Sequence, residues 1–134
     1  YKTRDLFNNK NISIKLSDPI IRVDADPEQL QRVFLNLVTN AIQAMPNARR
    51  EQIDITAEVI GTRVVVSVCD NGIGVEDDMQ PKLFQPNFTT KSSGSGLGLS
   101  IVKNILENIN GSIRYTPNPT GGSIFIIELP LART

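Results

Sequence analysis

Histidine and tryptophan are both missing from this 134-residue chain, and cysteine occurs once. Without histidine the chain cannot build a Ser-His-Asp triad, an imidazole general base or most zinc sites from its own residues. The lone Cys69 lies in an apolar run and has no second cysteine to pair with, which points to a reducing compartment. No apolar stretch approaches the ~20 residues needed to cross a bilayer, and the N-terminus carries no leader-like pattern. Net charge is lacking too. The 14 Lys and Arg balance the 14 Asp and Glu, which gives no support to broad nucleic-acid or membrane-surface binding.

What is present suffices for one domain with a proper core, and the length is too short for two. There is no internal repeat, low-complexity segment or linker. The start at Tyr1 rather than Met suggests a piece excised from a longer polypeptide. Asn11 to Leu16 alternates Ile12, Ile14 and Leu16 with polar neighbours, the period of a half-buried strand. The residues before it fit either a helical tail or a first edge strand.

Asp26-Pro27-Glu28 opens a helix, with a capping carboxylate, proline in the first turn and an acid near the positive end of the dipole. Leu30, Val33, Phe34, Leu37, Ala41, Ala44 and Met45 continue it at helical spacing until Pro46-Asn47. Gln52 to Ile60 and Arg63 to Cys69 read as a hairpin about Gly61-Thr62. The run Val64-Val65-Val66 predicts a central strand buried on both faces. Glu76 to Leu83 predicts a short helix weakened by Pro81, and Gln85 to Gly96, without any period, a mobile loop. Leu97 to Asn108 returns to helical spacing and Gly111 ends it. Ser112 to Thr116 and Gly122 to Leu129 form a closing strand pair. This order predicts an α/β two-layer sandwich: a mixed, mostly antiparallel sheet packed on one face by about three helices.

Two glycine clusters stand out, Asp70-Asn71-Gly72-Ile73-Gly74 and Gly94-Ser95-Gly96-Leu97-Gly98-Leu99. A carboxylate at a strand end can accept from an exocyclic amine, and backbone without side chains can approach a base or offer N–H groups to phosphates. Ile73 adds an apolar contact for the base. The second cluster runs into a helix N-terminus, where the dipole favours anions. It is neither a dinucleotide fingerprint nor a P-loop, since the third glycine of the one and the Gly-Lys-Ser/Thr of the other are missing. Asn36 and Asn40 stand one helical turn apart and supply neutral oxygens of the kind Mg²⁺ accepts beside phosphates. Lys91, in the loop, is placed to reach a β- or γ-phosphate. Together these residues read as an ATP-Mg²⁺ pocket, with Phe84 and Phe88 as pins for the loop.

These motifs resemble, in order, those of the catalytic ATP-binding domain of two-component sensor histidine kinases, in the GHKL superfamily. Asn36 to Ala41 is similar to the N box, Asp70 to Gly74 to the G1 box, and Phe84 to Lys91 to the F box. Gly94 to Ser100 is similar to the G2 box, and Gly121-Gly122-Ser123 to a short terminal glycine motif. The resemblance spans nearly the whole chain and implies the GHKL ATP-binding fold. It implies that Asn40 binds Mg²⁺ with Asn36 assisting, and that Asp70 reads the adenine amine with Ser123 nearby through water. Gly72 and Gly74 then pack on base and ribose, and Gly94 to Leu99 with Lys91 surround the phosphates beneath a lid at residues 85–96. Asn36, Asn40 and Lys91 take the catalytic roles. The Thr89-Thr90-Lys91 form resembles the nitrogen-regulation subgroup.

Three departures matter. Related ATPases carry a water-activating glutamate where this chain has Asn36, so its lack favours transfer to a protein acceptor over hydrolysis. Gln43 and Ala44 replace a basic and an aromatic residue, and Asn87 a second phenylalanine. The resemblance implies a cytoplasmic domain that gives the γ-phosphoryl group of ATP to a histidine on a separate dimerisation domain of the same protein. Residues 1–10 would be the remnant of the link to it. A cognate response regulator would follow, with no nucleic-acid partner, a monomeric fragment and a homodimeric parent whose membrane anchoring stays open. A GHKL-type ATPase and a non-transferring nucleotide-binding regulatory module remain as alternatives.

Overall fold

The computed structural model describes residues 11–16, 23, 25–43, 52–85 and 98–132. Its elements are β1 (Asn11–Leu16), α1 (Pro27–Gln43), β2 (Gln52–Ile60), β3 (Arg63–Asp70), α2 (Gly98–Asn108), β4 (Ser112–Pro117) and β5 (Ser123–Pro130). The strands form one five-stranded sheet in the order β1-β2-β3-β5-β4. β1 lies parallel to β2, joined by the crossover that contains α1, and every other pairing is antiparallel.

α1 begins as its sequence demands. Asp26 Oδ1 accepts from the Glu28 amide at 3.0 Å, and the Asp26 carbonyl accepts from Leu30 N–H at 3.0 Å. That satisfies an N–H group otherwise left over in the first turn, where Pro27 has none to satisfy. The helix runs to Gln43, and Ala44 to Asn47, expected to finish and stop it, lie outside the described residues. α2 ends differently from expectation. Asn110, not Gly111, takes the left-handed conformation at φ +62°. Gly111 N–H then reaches back to the Leu106 carbonyl at 2.7 Å and Asn110 N–H to Glu107 at 3.3 Å, the two bonds of a Schellman ending. Gly111 is needed for another reason: a Cβ there would sit 2.7 Å from the Glu128 carbonyl oxygen.

One sheet face carries the core. Val33, Leu37, Val38 and Ala41 of α1 and Val102 and Leu106 of α2 meet Ile53, Val64, Val66, Val68, Phe125, Ile127 and Leu129 of the strands. The register keeps these sheet residues in phase, with Val64 opposite Leu129, Val66 opposite Ile127 and Val68 opposite Phe125. β3 is central, but the expectation of burial on both faces is wrong. Val64, Val66, Val68 and Asp70 are buried, while Arg63, Val65, Ser67 and Cys69 on the opposite face are only half-buried. A run of three valines marks β-propensity, yet helices cover one side of this sheet. The short helix expected over Glu76 to Leu83 shrinks to one 3₁₀ turn at Gln80–Lys82, with Pro81 in its first turn. The described helices are thus two, plus that turn, and no described helix is long and apolar enough to cross a membrane.

Leu37 is fully buried at the centre of the helix–sheet interface. Leu37→Ala is expected to lower unfolding free energy by about 2–5 kcal/mol through lost transfer energy and a residual cavity, read as a lower urea midpoint with an unchanged slope.

Candidate functional site

β3 ends on a buried charge. Asp70 is 2% exposed, on the core side of the sheet, where the three preceding inward positions are valines. Its Oδ1 accepts from Gly72 N–H at 2.9 Å and from Ser123 N–H at 3.2 Å, one bond from its own turn and one from the first residue of β5. Charge-assisted bonds of this kind are what make a buried carboxylate tolerable. Among the described residues no buried side-chain nitrogen or oxygen lacks a partner. Asn71, next along, fixes the turn to the start of β2: its Oδ1 accepts from Gln52 N–H at 2.9 Å, and its own N–H donates to the Gln52 carbonyl at 3.3 Å.

The β4–β5 loop is pressed onto this turn, backbone against backbone. Gly122 has φ +107°, and a Cβ on it would collide with the Asp70 carbonyl oxygen and crowd Asn71 Cα at 2.9 Å. On its other side, a Cβ at Gly74, itself at φ +74°, would lie 3.1 Å from the Gly122 carbonyl oxygen. Both glycines are therefore demanded by the protein's own packing, before any ligand is considered. Asn118 ties the loop down from within: its Nδ2 donates to the Asp70 carbonyl at 3.0 Å, and its N–H donates to the Gly122 carbonyl at 3.1 Å. Thr120 caps the Asn118 Oδ1 through both N–H and hydroxyl.

The far end of the turn is held by side chains. Val75 N–H donates to the Tyr115 hydroxyl oxygen at 3.2 Å, and Gln80 Nε2 donates to the Val75 carbonyl at 3.1 Å. The Ser123 hydroxyl donates to the Tyr115 oxygen at 3.3 Å. The Tyr115 ring stands edge-on to Phe125 at 5.3 Å, and Phe125 stands edge-on to Phe84 at 6.3 Å. Phe84, expected as a pin, is indeed packed against the core.

Of the residues singled out in the sequence, Asp70, Gly72, Gly74 and Ser123 are brought together here. Ile73 crowns the same turn at 75% exposure, an apolar side chain presented to solvent. Asn36 and Asn40 are half-buried on α1, one turn apart as their spacing required. α1 begins four residues after Val23, which pairs with Leu131. α2 is anchored by its C-terminal turn beside Glu128, so its N-terminus at Gly98 points away from that anchor. A Cβ at Gly98 would meet no described atom within 4 Å. Ser100 is buried, and Leu99 packs against the core. Lys91, Gly94, Ser95, Gly96 and Leu97 lie outside the described residues, as does most of the expected loop.

Sequence reasoning missed Asn71, Tyr115, Asn118 and Gln80. Tyr115 had one available signal: it falls on the inward phase of β4, where a phenol needs a partner for its hydroxyl. Cys69, on the half-buried face, has its thiol pushed above the usual range by burial, then by the charges of Asp54 and Asp70. It stays protonated at neutral pH and is a poor nucleophile. Among the described residues no three His, Cys, Asp or Glu side chains cluster to hold a metal.

The sequence profile of the family described as histidine kinase-, DNA gyrase B- and HSP90-like ATPase matches residues 25–133. The sensor histidine kinase ZraS of Escherichia coli strain K12 is 39% identical over 126 residues, covering 92% of this chain and 27% of that protein. The chain thus spans about a quarter of the length of such curated relatives. Among solved structures, the nucleotide-free catalytic domain of histidine kinase ThkA superposes with a TM-score of 0.84 at 36% identity, over 95% of this chain and 86% of that one. Histidine kinase ThkA in complex with the response regulator protein TrrA superposes at 0.79 with 33% identity, over 96% of this chain and 38% of that one.

Gly122→Ala is expected to lower stability by about 1–3 kcal/mol from backbone strain alone, with a further loss as the loop lifts off Asp70. Urea unfolding measures the loss; an unchanged midpoint would show that the loop is not held by this contact.

Proposed function

The chain belongs to the histidine kinase-, DNA gyrase B- and HSP90-like ATPase family, and from that membership we propose that it is the ATP-binding catalytic domain of a sensor histidine kinase. The whole of residues 1–134 is read as that single domain. It donates the γ-phosphoryl group of ATP to a histidine on a separate dimerisation domain of the same full-length protein, since this chain has no histidine of its own. The observation that carries this reading is Asp70, a buried carboxylate whose Oδ1 accepts from two backbone N–H groups beside two tightly packed glycines.

In this reading Asp70 accepts from the 6-amino group of adenine. Guanine presents a carbonyl there, and acceptor facing acceptor disfavours GTP. Ser123 lies beside it, and Ile73 offers its exposed side chain to the base. Gly72 and Gly74 keep the turn thin. Residues Gly94, Ser95, Gly96, Leu97, Gly98 and Leu99 line the phosphates, chiefly through backbone N–H groups at the start of α2, where the helix dipole favours anions. No described atom lies within 4 Å of where a Gly98 Cβ would stand, which fits such a close approach. Asn40, with Asn36, would hold Mg²⁺ through amide oxygens, a donor set suited to an ion that keeps several waters. Mg²⁺ when bound neutralises charge on the phosphates. Lys91 neutralises charge on the γ-phosphate as the bond from its phosphorus to the β,γ-bridging oxygen breaks and a bond to the acceptor nitrogen forms, with ADP leaving. Asn36 cannot act as a general base, which favours the histidine over water.

The parent is read as a homodimer and this domain alone as a monomer, on the cytoplasmic side, without a nucleic-acid partner. A response regulator receives the phosphoryl group in turn; the ThkA complex with its response regulator supports that partner class. The Thr89-Thr90-Lys91 sequence supports a nitrogen-regulation-type subgroup.

Labelled ATP mixed with this chain and a purified histidine-bearing dimerisation domain is expected to yield phosphohistidine; none at working stoichiometry sinks the transfer reading. Asp70→Asn is expected to weaken ATP binding by about 1.5–3 kcal/mol in calorimetry, and unchanged affinity removes Asp70 from base reading. Asn40→Ala is expected to reduce Mg²⁺-dependent transfer at least about tenfold more than it reduces nucleotide affinity, and equal losses would refute the metal role.

A further inference from the structure

We propose that Tyr115 is a positioning residue for base recognition, holding the Asp70–Val75 turn in the shape that lets Asp70 discriminate the purine 6-position. This rests on the adenine-reading role of Asp70 proposed above. The argument begins with what holds the turn at each end. At its start, Asp70 Oδ1 accepts from Gly72 and from Ser123. At its end, Val75 N–H donates to the Tyr115 hydroxyl oxygen at 3.2 Å. The same oxygen accepts from the Ser123 hydroxyl at 3.3 Å. A closed circuit results: Asp70 to Ser123, Ser123 to Tyr115, Tyr115 to Val75, and back along the backbone to Asp70.

The circuit matters because it adds a side-chain tether at Val75 to a turn otherwise held mainly at its start, by Asn71 on Gln52 and Asn118 on the Asp70 carbonyl. Gly72 and Gly74 bring no side chain of their own to stiffen the backbone, and Ile73 projects into solvent. A six-residue segment with two glycines has many accessible shapes, and each added tether removes some of them. Tyr115 anchors the circuit to a rigid place. It sits on β4 opposite Phe125, its ring packed edge-on against Phe125 at 5.3 Å. Oxygen and ring thus do separate jobs: the ring holds the core, and the oxygen holds the turn.

That division makes the test clean, because Tyr115→Phe removes only the oxygen. The full 134-residue chain and its Tyr115→Phe variant are titrated by calorimetry with ATP and with purine riboside triphosphate, which lacks the 6-amino group. The unaltered chain is expected to prefer ATP by about tenfold, the worth of one hydrogen bond to a charged acceptor. In Tyr115→Phe that preference is expected to shrink at least about threefold, chiefly through weaker ATP binding. The Val75 amide is expected to exchange its hydrogen faster in the variant, while core amides of β5 keep their protection. A preference unchanged in the variant, including equal weakening of both triphosphates, overturns the role of Tyr115 and leaves Asp70 as reader. No preference in the unaltered chain overturns the reading of Asp70 itself. Should the variant lose core protection, Gln80→Ala offers a second route: it frees the Val75 carbonyl from the other side. The expected result is again a smaller preference for ATP, and an unchanged one counts against a turn-shape mechanism.

Discussion

A carboxylate at 2% exposure on the apolar side of a sheet has to be compensated by the groups around it, and much of this end of the molecule is organised to do so. Asp70 Oδ1 draws one N–H from its own turn and one from β5. The second bond requires the start of β5 to lie close, and closeness requires Gly122, whose missing Cβ leaves room for the Asp70 carbonyl. Gly122 in turn presses on Gly74. The glycines of two distant motifs thus serve one another.

The sheet makes this meeting possible. β3 and β5 are antiparallel neighbours, so the last residue of one stands near the first residue of the other, with Cys69 opposite Ile124. Chain order hides that proximity, because α2 and β4 intervene. The same antiparallel arrangement brings Tyr115 beside Phe125 and, through it, Phe84. The aromatic column runs from the turn after β3 to Phe84, which follows the 3₁₀ turn at Gln80–Lys82, so core packing and site geometry share side chains. Both helices cover this face, and α1 brings Asn36 and Asn40 as half-buried side chains flanking its apolar stripe.

Local chemistry was legible wherever a residue acts within its own element. The Asp26 cap, the hairpin at Gly61-Thr62 and the helical spacing around Leu37 all appear where the pattern put them. Errors came where coverage or contact decides. Three valines in a row say strand, but not which faces of that strand are covered, and β3 is covered on one. Gly111 reads as a helix stop, yet Asn110 makes the left-handed turn and Gly111 is required by the nearby Glu128 carbonyl. The candidate site shows the same division. Its acid and glycines were readable as a motif, whereas Asn71, Tyr115, Asn118 and Gln80 act only through partners far along the chain.

Composition and order alone determined that the chain has no imidazole chemistry, a strand–helix–strand layout and an acid-and-glycine motif of nucleotide-binding type. Those properties follow from residue identity and short-range spacing, which act over a few bonds. Tertiary structure decided which face of the sheet is covered, which glycine answers to which carbonyl, and that a phenol from β4 closes the turn after β3. Such outcomes depend on backbones meeting at hydrogen-bond and van der Waals distance across the sheet, and spacing along the chain carries no record of that separation.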